Sequence, residues 1–402
     1  MTRCLNDAFI HLWHNPEMSI PPKIPADRIL VFMPNWLGDG VMATPFLRAL
    51  RSLYPAPAII HAIARPLVAP VLAGLPFVDH IHILKKGDEN RLVKVLRANR
   101  FDLGVLLPNS LRSAWTLRRI GAKRRLGYAR EARALLLTDT LRPVKRTPEQ
   151  HAIDQRKQQA ITDISGGKER PAVGSDFQPI PTIDYYLRLT EYLGAPPPPT
   201  TDRRMQLGIT DAERAEAQSI LNSEFRILNS SLITLVPGAN FGSSKCWMPE
   251  RFAAVADRLV AERNAIVLIA SSPAELPIVD AILAATRQRE RIIALAKLNG
   301  GKGVSLGALK EIVRRSSLMI CNDTGPRHFA AALGVPVVTL FGPTDPVWAE
   351  TFYEKERQVH IDVPCGPCQL KKCPIDHRCM KGITVEMVMQ AIEAADGKSS
   401  NK

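Results

Sequence analysis

The chain has 402 residues, 46% of them hydrophobic and 23% charged, a globular mixture too long for one typical core and suited to two domains. No run of eighteen apolar residues occurs, and Met1 to Pro22 lacks the basic start, continuous apolar centre and small-residue cleavage site of a secretory signal. A cytoplasmic protein is expected, and its net charge of +14 favours acidic partners: nucleotides, nucleic acid or an anionic membrane face.

In chain order, Arg28 to Met33 is a buried-strand run, followed by the turn Pro34-Asn35-Trp36-Leu37-Gly38-Asp39-Gly40 and a helical pattern to about Leu53. Two glycines flank Asp39, so the backbone there can approach a ligand. Its carboxylate can serve either as a helix N-cap or as a base reaching into a cleft. Strands follow at Ala58 to Ala64, His80 to Leu84 and Leu103 to Leu107, with helical stretches around Val68 to Ala73 and Glu89 to Asn99. Strands alternating with helices predict a parallel, doubly wound α/β sheet. The segment Arg112 to Arg133 carries Arg112, Arg118, Arg119, Lys123, Arg124, Arg125, Arg130 and Arg133. It reads either as a solvated face or as a rim for the phosphates or carboxylates of an acceptor. From about residue 143 to 181 the pattern fades into Lys, Gln, Gly and Pro, a polar surface excursion and candidate mobile insertion. Thr182 to Leu193 is helical, and the prolines 196 to 199 mark the linker, dividing the chain into domains 1–200 and 201–402.

The second half restarts the rhythm, with strands expected at Leu232 to Val236, Ala265 to Ala270, Ile292 to Leu295, Leu318 to Cys321 and Val335 to Phe341. The helix Pro249 to Arg263 repeats apolar residues at spacings of three and four. After its first strand comes Pro237-Gly238-Ala239-Asn240-Phe241-Gly242-Ser243-Ser244-Lys245, where glycine and serine lead to a lysine and a helix start. Such a loop suits a diphosphate, with Gly238 at its opening and Lys245 as a point charge, or it is an exposed lysine beside a packed Trp247. No Walker sequence is present. The stretch Asn322-Asp323-Thr324-Gly325-Pro326-Arg327-His328 turns from a strand into a helix. Asp323 to Gly325 then form a loop at the carboxyl end of a strand, where α/β sheets receive anionic ligands. The alternative is a capped turn.

Together these pieces resemble glycosyltransferase family 9, the lipopolysaccharide heptosyltransferases. The resemblance runs through Asn35 to Asp39, Ser244 to Trp247, Asn322 to His328, Ala330 to Pro336 and Phe341 to Pro346, in order across residues 28 to 393. It implies a GT-B architecture, two Rossmann-like domains facing a central cleft, with acceptor on the first and nucleotide-sugar donor on the second. It also implies an inverting transfer of heptose from ADP-heptose to the lipid-linked inner core of lipopolysaccharide, with no metal or other cofactor required for catalysis. By the same resemblance the base falls on Asp39, the leaving-group lysine on Lys245, and the diphosphate turn on Asp323, Thr324 and Gly325, with His328 on the following helix. Glu275 falls near the nucleotide ribose, and Ser271 and Ser272 stand where relatives often have glycine. A lipid-linked acceptor implies peripheral contact with the cytoplasmic face of the inner membrane, through Arg112 to Arg133.

Four of the seven cysteines, Cys365, Cys368, Cys373 and Cys379, lie as C-x2-C-x4-C-x5-C within the segment 365–379, with His377 among them. The density suits a structural zinc, although the spacing is not a standard two-knuckle one; reduced thiols or a redox-dependent bridge are the other readings. A zinc knuckle on a basic chain would also suit a nucleic-acid-binding protein, but no recognisable binding motif accompanies it. A nicotinamide dehydrogenase would require a Gly-x-Gly-x-x-Gly helix start, which is absent.

Overall fold

A computed structural model describes residues 21–130, 132–173, 176–196, 200–224 and 231–397. The reading of Met1 to Pro22 thus falls almost wholly outside the described residues, as do three of the four linker prolines, Pro197 to Pro199.

The apolar runs form strands because parallel sheets bury both faces and so demand near-continuous hydrophobic segments. The first sheet contains β1 (Arg28–Phe32), β2 (Ile59–Ala64), β3 (His80–Ile83), β4 (Leu103–Leu106), β5 (Arg124–Tyr128) and β6 (Asp139–Leu141), in the order β3-β2-β1-β4-β5-β6. All its pairings are parallel, with Ile29 opposite both Ile60 and Leu103. Its longer helices are α1 (Leu37–Met42), α2 (Thr44–Leu53), α3 (Glu89–Arg97), α4 (Leu111–Ile120), α5 (Pro148–Ile164) and α6 (Thr182–Tyr192).

The second sheet contains β7 (Leu232–Val236), β8 (Ile266–Ile269), β9 (Ile292–Ala294), β10 (Leu318–Asn322), β11 (Val337–Leu340) and β12 (Glu356–Val359), in the order β12-β11-β10-β7-β8-β9 and again parallel throughout. Around it stand α7 (Asp211–Glu224), α8 (Pro249–Arg263), α9 (Leu276–Ala285), α10 (Leu306–Arg315), α11 (Arg327–Leu333) and α12 (Val385–Ala395). The α/β expectation holds in both halves.

Three differences from the sequence reading have physical reasons. The polar stretch expected as an excursion contains α5, started by Pro148 in its first turn and by a capping box: the Gln150 amide donates to Thr147 Oγ1 (3.3 Å), and the Thr147 amide to Gln150 Oε1 (2.9 Å). Local capping outweighs its weak apolar pattern. Within the basic run lies β5, and several of the cations hold the fold together. Arg124 pairs with Asp139, Lys123 with Asp102 (2.9 Å), and Arg125 donates to Leu136 O (2.8 Å). The wholly buried Arg133 donates to Tyr128 O (2.7 Å) and Asn109 Oδ1 (2.9 Å). An acceptor rim running through all eight cations is therefore corrected: Arg124, Arg125 and Arg133 are structural. Lastly, β12 carries Glu-Arg-Gln-Val, too polar to stand out as a strand, because its glutamate has a buried partner described below.

The halves share apolar packing. Leu37, Val41 and Met42 of α1 with Ile183 and Leu187 of α6 join Val236, Met319 and Phe329 in one buried cluster. Chain crossings reinforce the contact, since the Thr182 amide and hydroxyl both donate to Trp348 O (3.1 and 2.7 Å).

Candidate active site

Each sheet reverses its strand order next to its first strand, between β1 and β4 in one and between β7 and β10 in the other. Loops leaving the carboxyl ends of strands at such a point part to opposite faces and open a crevice. The segments that follow β1, β7 and β10 carry Asp39, Lys245 and Asp323. They line one cleft of about 670 Å³, within the range of sites that enclose a small molecule.

Asp39 lies in the first turn of α1, but Trp36 occupies the N-cap position and no side chain caps the helix. The capping reading therefore fails. No hydrogen bond or ion pair to the Asp39 carboxylate occurs among the described residues, and the group faces the cleft. Burial raises its pKa from 3.8 to about 6; the Lys245 charge pulls it down, and the Asp323 carboxylate adds to the rise.

Asp323 does not cap its helix either. Its Oδ2 accepts from Lys245 Nζ (2.5 Å) and Thr344 Oγ1 (2.7 Å), and its Oδ1 from Arg327 (3.4 Å). Burial alone would raise this carboxyl, but Lys245 and Arg327 outweigh it and hold it at about 2. Lys245 is only 9% exposed. Its ammonium also donates to Asp323 O (3.0 Å) and stands 4.8 Å from the centre of the Phe241 ring, so the exposed-lysine reading fails as well. Behind this pair the wholly buried Arg327 binds Glu356 of β12 in a two-pronged contact (2.5 and 3.0 Å), which accounts for the polar strand. Two cations thus meet two carboxylates, and the clamp carries no net charge.

Asn322 joins the two loops of the second sheet. Its Nδ2 donates to Pro237 O (2.6 Å), and its Oδ1 accepts the Trp247 amide (3.2 Å). His328 is buried and lines the cleft, and its Nδ1 has no hydrogen-bond partner among the described residues; burial lowers its pKa to about 3, so the ring is neutral. A Cβ on Gly38 would come within 2.8 Å of this ring, and one on Gly325 within 3.1 Å of Leu37 Cβ, so the lobes touch closely at the cleft floor.

Glu275 also lines the cleft, with its Oε2 taken by the Ser272 amide (2.8 Å) and hydroxyl (2.9 Å). Gly238 does not line it; its place is beneath Glu275, whose carboxylate a Cβ there would strike at 2.0 Å. Sequence reasoning does not single out Arg327, Glu356 or Thr344; Ser271, noted there only as standing where relatives often have glycine, lines the cleft with a buried hydroxyl that has no hydrogen-bond partner among the described residues. Arg327 and Thr344 lay inside quoted motifs, whereas Glu356 had no local signal.

Cys365, Cys368, Cys373 and Cys379 are free thiols that line one small cavity with His377 and Ser244. Burial raises the pKa of Cys365 and Cys368, and that of Cys379 to about 12, so these three stay protonated near neutrality. Among the described residues no group of three or more His, Cys, Asp or Glu side chains is arranged to hold a metal ion. The segment supports the lysine turn directly. Ser244 Oγ donates to Leu370 O (2.6 Å), the Ser244 amide to Lys371 O (3.2 Å), and His377 Nε2 lies 2.7 Å from Ser244 O.

The model of a family described as Glycosyltransferase family 9 (heptosyltransferase) matches residues 90–178 and 183–378. The chain is 27% identical over 343 residues to lipooligosaccharide heptosyltransferase 2 of Haemophilus influenzae, covering 83% of this chain and 88% of the relative. To lipopolysaccharide heptosyltransferase 2 of Salmonella typhimurium it is 27% identical over 346 residues, with the same coverage. The solved ADP-heptose lipopolysaccharide heptosyltransferase II of Escherichia coli superposes with a TM-score of 0.70 at 25% identity, covering 92% of this chain and 98% of that one. A glycosyl transferase family 9 structure from Veillonella parvula, 22% identical with a TM-score of 0.71 over 95% of this chain and 99% of that one, has the same fold.

Proposed function

Since the chain belongs to glycosyltransferase family 9 and is a glycosyltransferase with two GT-B lobes, we propose that it moves a heptose from ADP-heptose to the lipid-linked inner core during lipopolysaccharide biosynthesis, with inversion. The observation that carries this reading is the shared cleft: an unpartnered carboxylate from the first lobe faces a lysine–aspartate clamp from the second. Domain 1–200 then binds the acceptor and domain 201–402 the donor.

In this reading the acceptor hydroxyl oxygen bonds to the anomeric carbon as the bond from that carbon to the β-phosphate oxygen breaks. Asp39 takes the hydroxyl proton, which a carboxylate with a pKa near 6 does efficiently near neutrality. ADP departs with the bonding pair. The Lys245 ammonium and the turn Asp323, Thr324 and Gly325 receive the charge that builds on the diphosphate. Because the clamp is neutral as a whole, its help depends on the ammonium's position rather than on excess positive charge. Asp323 holds that position, and the neutral His328 ring forms part of the cleft wall beside it. Glu275, braced above Gly238, has Oε1 available to a ribose hydroxyl.

In this reading the segment carrying the four cysteines braces the Lys245 turn through Leu370, Lys371 and His377, with the cysteines as thiols. Metal analysis of the purified protein decides between thiols and a structural zinc. The nucleic-acid-binding alternative finds no support in the family or the fold. Another donor sugar on the same machinery is tested directly. Several nucleotide sugars are offered with one defined core acceptor, and the products are weighed by mass spectrometry. Mass gain with ADP-heptose alone supports the proposal; gain only with another donor overturns the sugar assignment and leaves the family intact.

A further inference from the structure

Of the large apolar side chains exposed among the described residues, two stand in the cleft, and both come from the first lobe: Trp36, 53% exposed, and Leu67, 39% exposed. Folding leaves them in water, although burying an indole is among the larger apolar gains open to a chain. Single exposed apolar residues are ordinary on an outer surface. In a concave site they form the walls that a ligand covers.

Both are fixed relative to Asp39. Trp36 occupies the N-cap position of α1, and its carbonyl accepts the Gly40 amide (2.9 Å), so the indole is rooted within one helical turn of the carboxylate. Leu67 lies in the turn after β2, next to Val68, which packs on the same helix: a Cβ on Gly40 would come within 2.7 Å of Val68 Cγ1. A molecule that gives a proton to Asp39 therefore comes within reach of Trp36. The rest of the lining narrows its chemistry. Asp39, Lys245, Glu275, Asp323 and Asp345 share the cleft, so a hydrocarbon chain laid along it would desolvate charges without pairing them. A pyranose ring meets both demands, with a C–H face for the indole and a rim of hydroxyls for the polar groups.

We propose that Trp36, flanked by Leu67, is the stacking platform for the acceptor sugar: the indole covers the C–H face of the ring and fixes which hydroxyl reaches Asp39. The assignment of that sugar as acceptor rests on the glycosyltransferase reading above. The test measures steady-state kinetics and calorimetric binding with a deacylated, water-soluble core saccharide. Trp36→Ala should raise the acceptor KM by about tenfold or more and lower kcat far less, with the donor Kd and the melting temperature at parental values. Trp36→Phe, which keeps a flat ring, should recover most of the loss, and Leu67→Ala should raise the same KM by a smaller factor. An unchanged acceptor KM in Trp36→Ala overturns the proposal, as does a rise confined to the donor, which would turn the indole toward the nucleotide sugar. An effect seen only with an acylated acceptor also overturns it and assigns the indole to a lipid contact. If the parent binds the saccharide and Trp36→Ala weakens that binding while no sugar is transferred, the platform stands and the assigned reaction falls. If the parent binds no core saccharide, both fall.

Discussion

Asp39 and Lys245 differ in what surrounds them, and that difference predicts different defects. Asp39 contacts no cation directly, so Asp39→Ala should leave donor affinity close to that of the parent and remove transfer by roughly a thousandfold or more, measured as kcat with donor binding followed by calorimetry. Lys245 is part of the clamp, so Lys245→Ala should weaken donor binding and lower kcat by on the order of a hundredfold, while leaving Asp323 short of a partner. Near-parental turnover of the Asp39 variant would remove it as the base. The pH dependence has a definite sign. The base must be ionised, so kcat/KM should rise with pH to a plateau above an apparent pKa near 6, and Asp39→Asn should abolish that limb together with the activity. The same burial costs stability. A carboxyl whose folded pKa exceeds its unfolded 3.8 favours the fold fully only below 3.8, and that advantage is lost as pH rises through about 6. At pH 7, Asp39→Asn should therefore stabilise the protein by on the order of 1 kcal/mol, read from its melting temperature.

At the scale of elements, the site depends on loops that follow adjacent parallel strands and on the side chains that tie those loops together. Asn322 joins the loop after β7 to the end of β10, and Glu356 of β12 secures Arg327 behind the clamp. The turn Pro273–Glu275 after β8 has the same character: Ser272 and Glu275 form a capping box, and the absence of a side chain at Gly238 leaves room for it. Gly238→Ala should push the Glu275 carboxylate out of that position. We expect a several-fold rise in KM for the donor with little change in KM for the acceptor, measured by steady-state kinetics. Equal effects on both substrates would argue that Glu275 does not serve the donor.

Across the whole molecule, the lobes are held by an apolar cluster, by the contact of Gly38 with His328, and by one buried ammonium. Lys310 of α10 is wholly buried and donates to Pro70 O of the first lobe (2.9 Å), to Gly208 O of the connecting segment (2.8 Å) and to Glu213 (2.8 Å). Burial pulls its pKa down and Glu213 pushes it back up. Lys310→Met should leave Glu213 and two carbonyls without their donor, costing about 3 kcal/mol or more. Thermal melting should detect the loss, and small-angle scattering a larger radius of gyration as the lobes part. An unchanged scattering profile would mean that the apolar cluster and the remaining crossing contacts keep the cleft closed without Lys310.

Local chemistry alone determined the alternation of strands and helices, the turns carrying Asp39, Lys245 and Asp323, and the ordered motifs of the family. Each is a matter of neighbouring residues: periodicity, capping asymmetry, glycine where the chain must turn. Tertiary structure decided what local pattern leaves ambiguous. Whether Asp39 and Asp323 cap their helices or face a cleft depended on groups elsewhere in the chain, and for Asp323 the deciding donors are Lys245 and Thr344. The basic run looked uniform in sequence, yet Arg133 is buried as a backbone donor whereas Arg112 and Arg118 face solvent, because only packing separates a structural cation from a free face. Glu356 had no signal at all. Its partner stands 29 residues away, and the value of a buried charge is set by the opposite charge that folding brings to it.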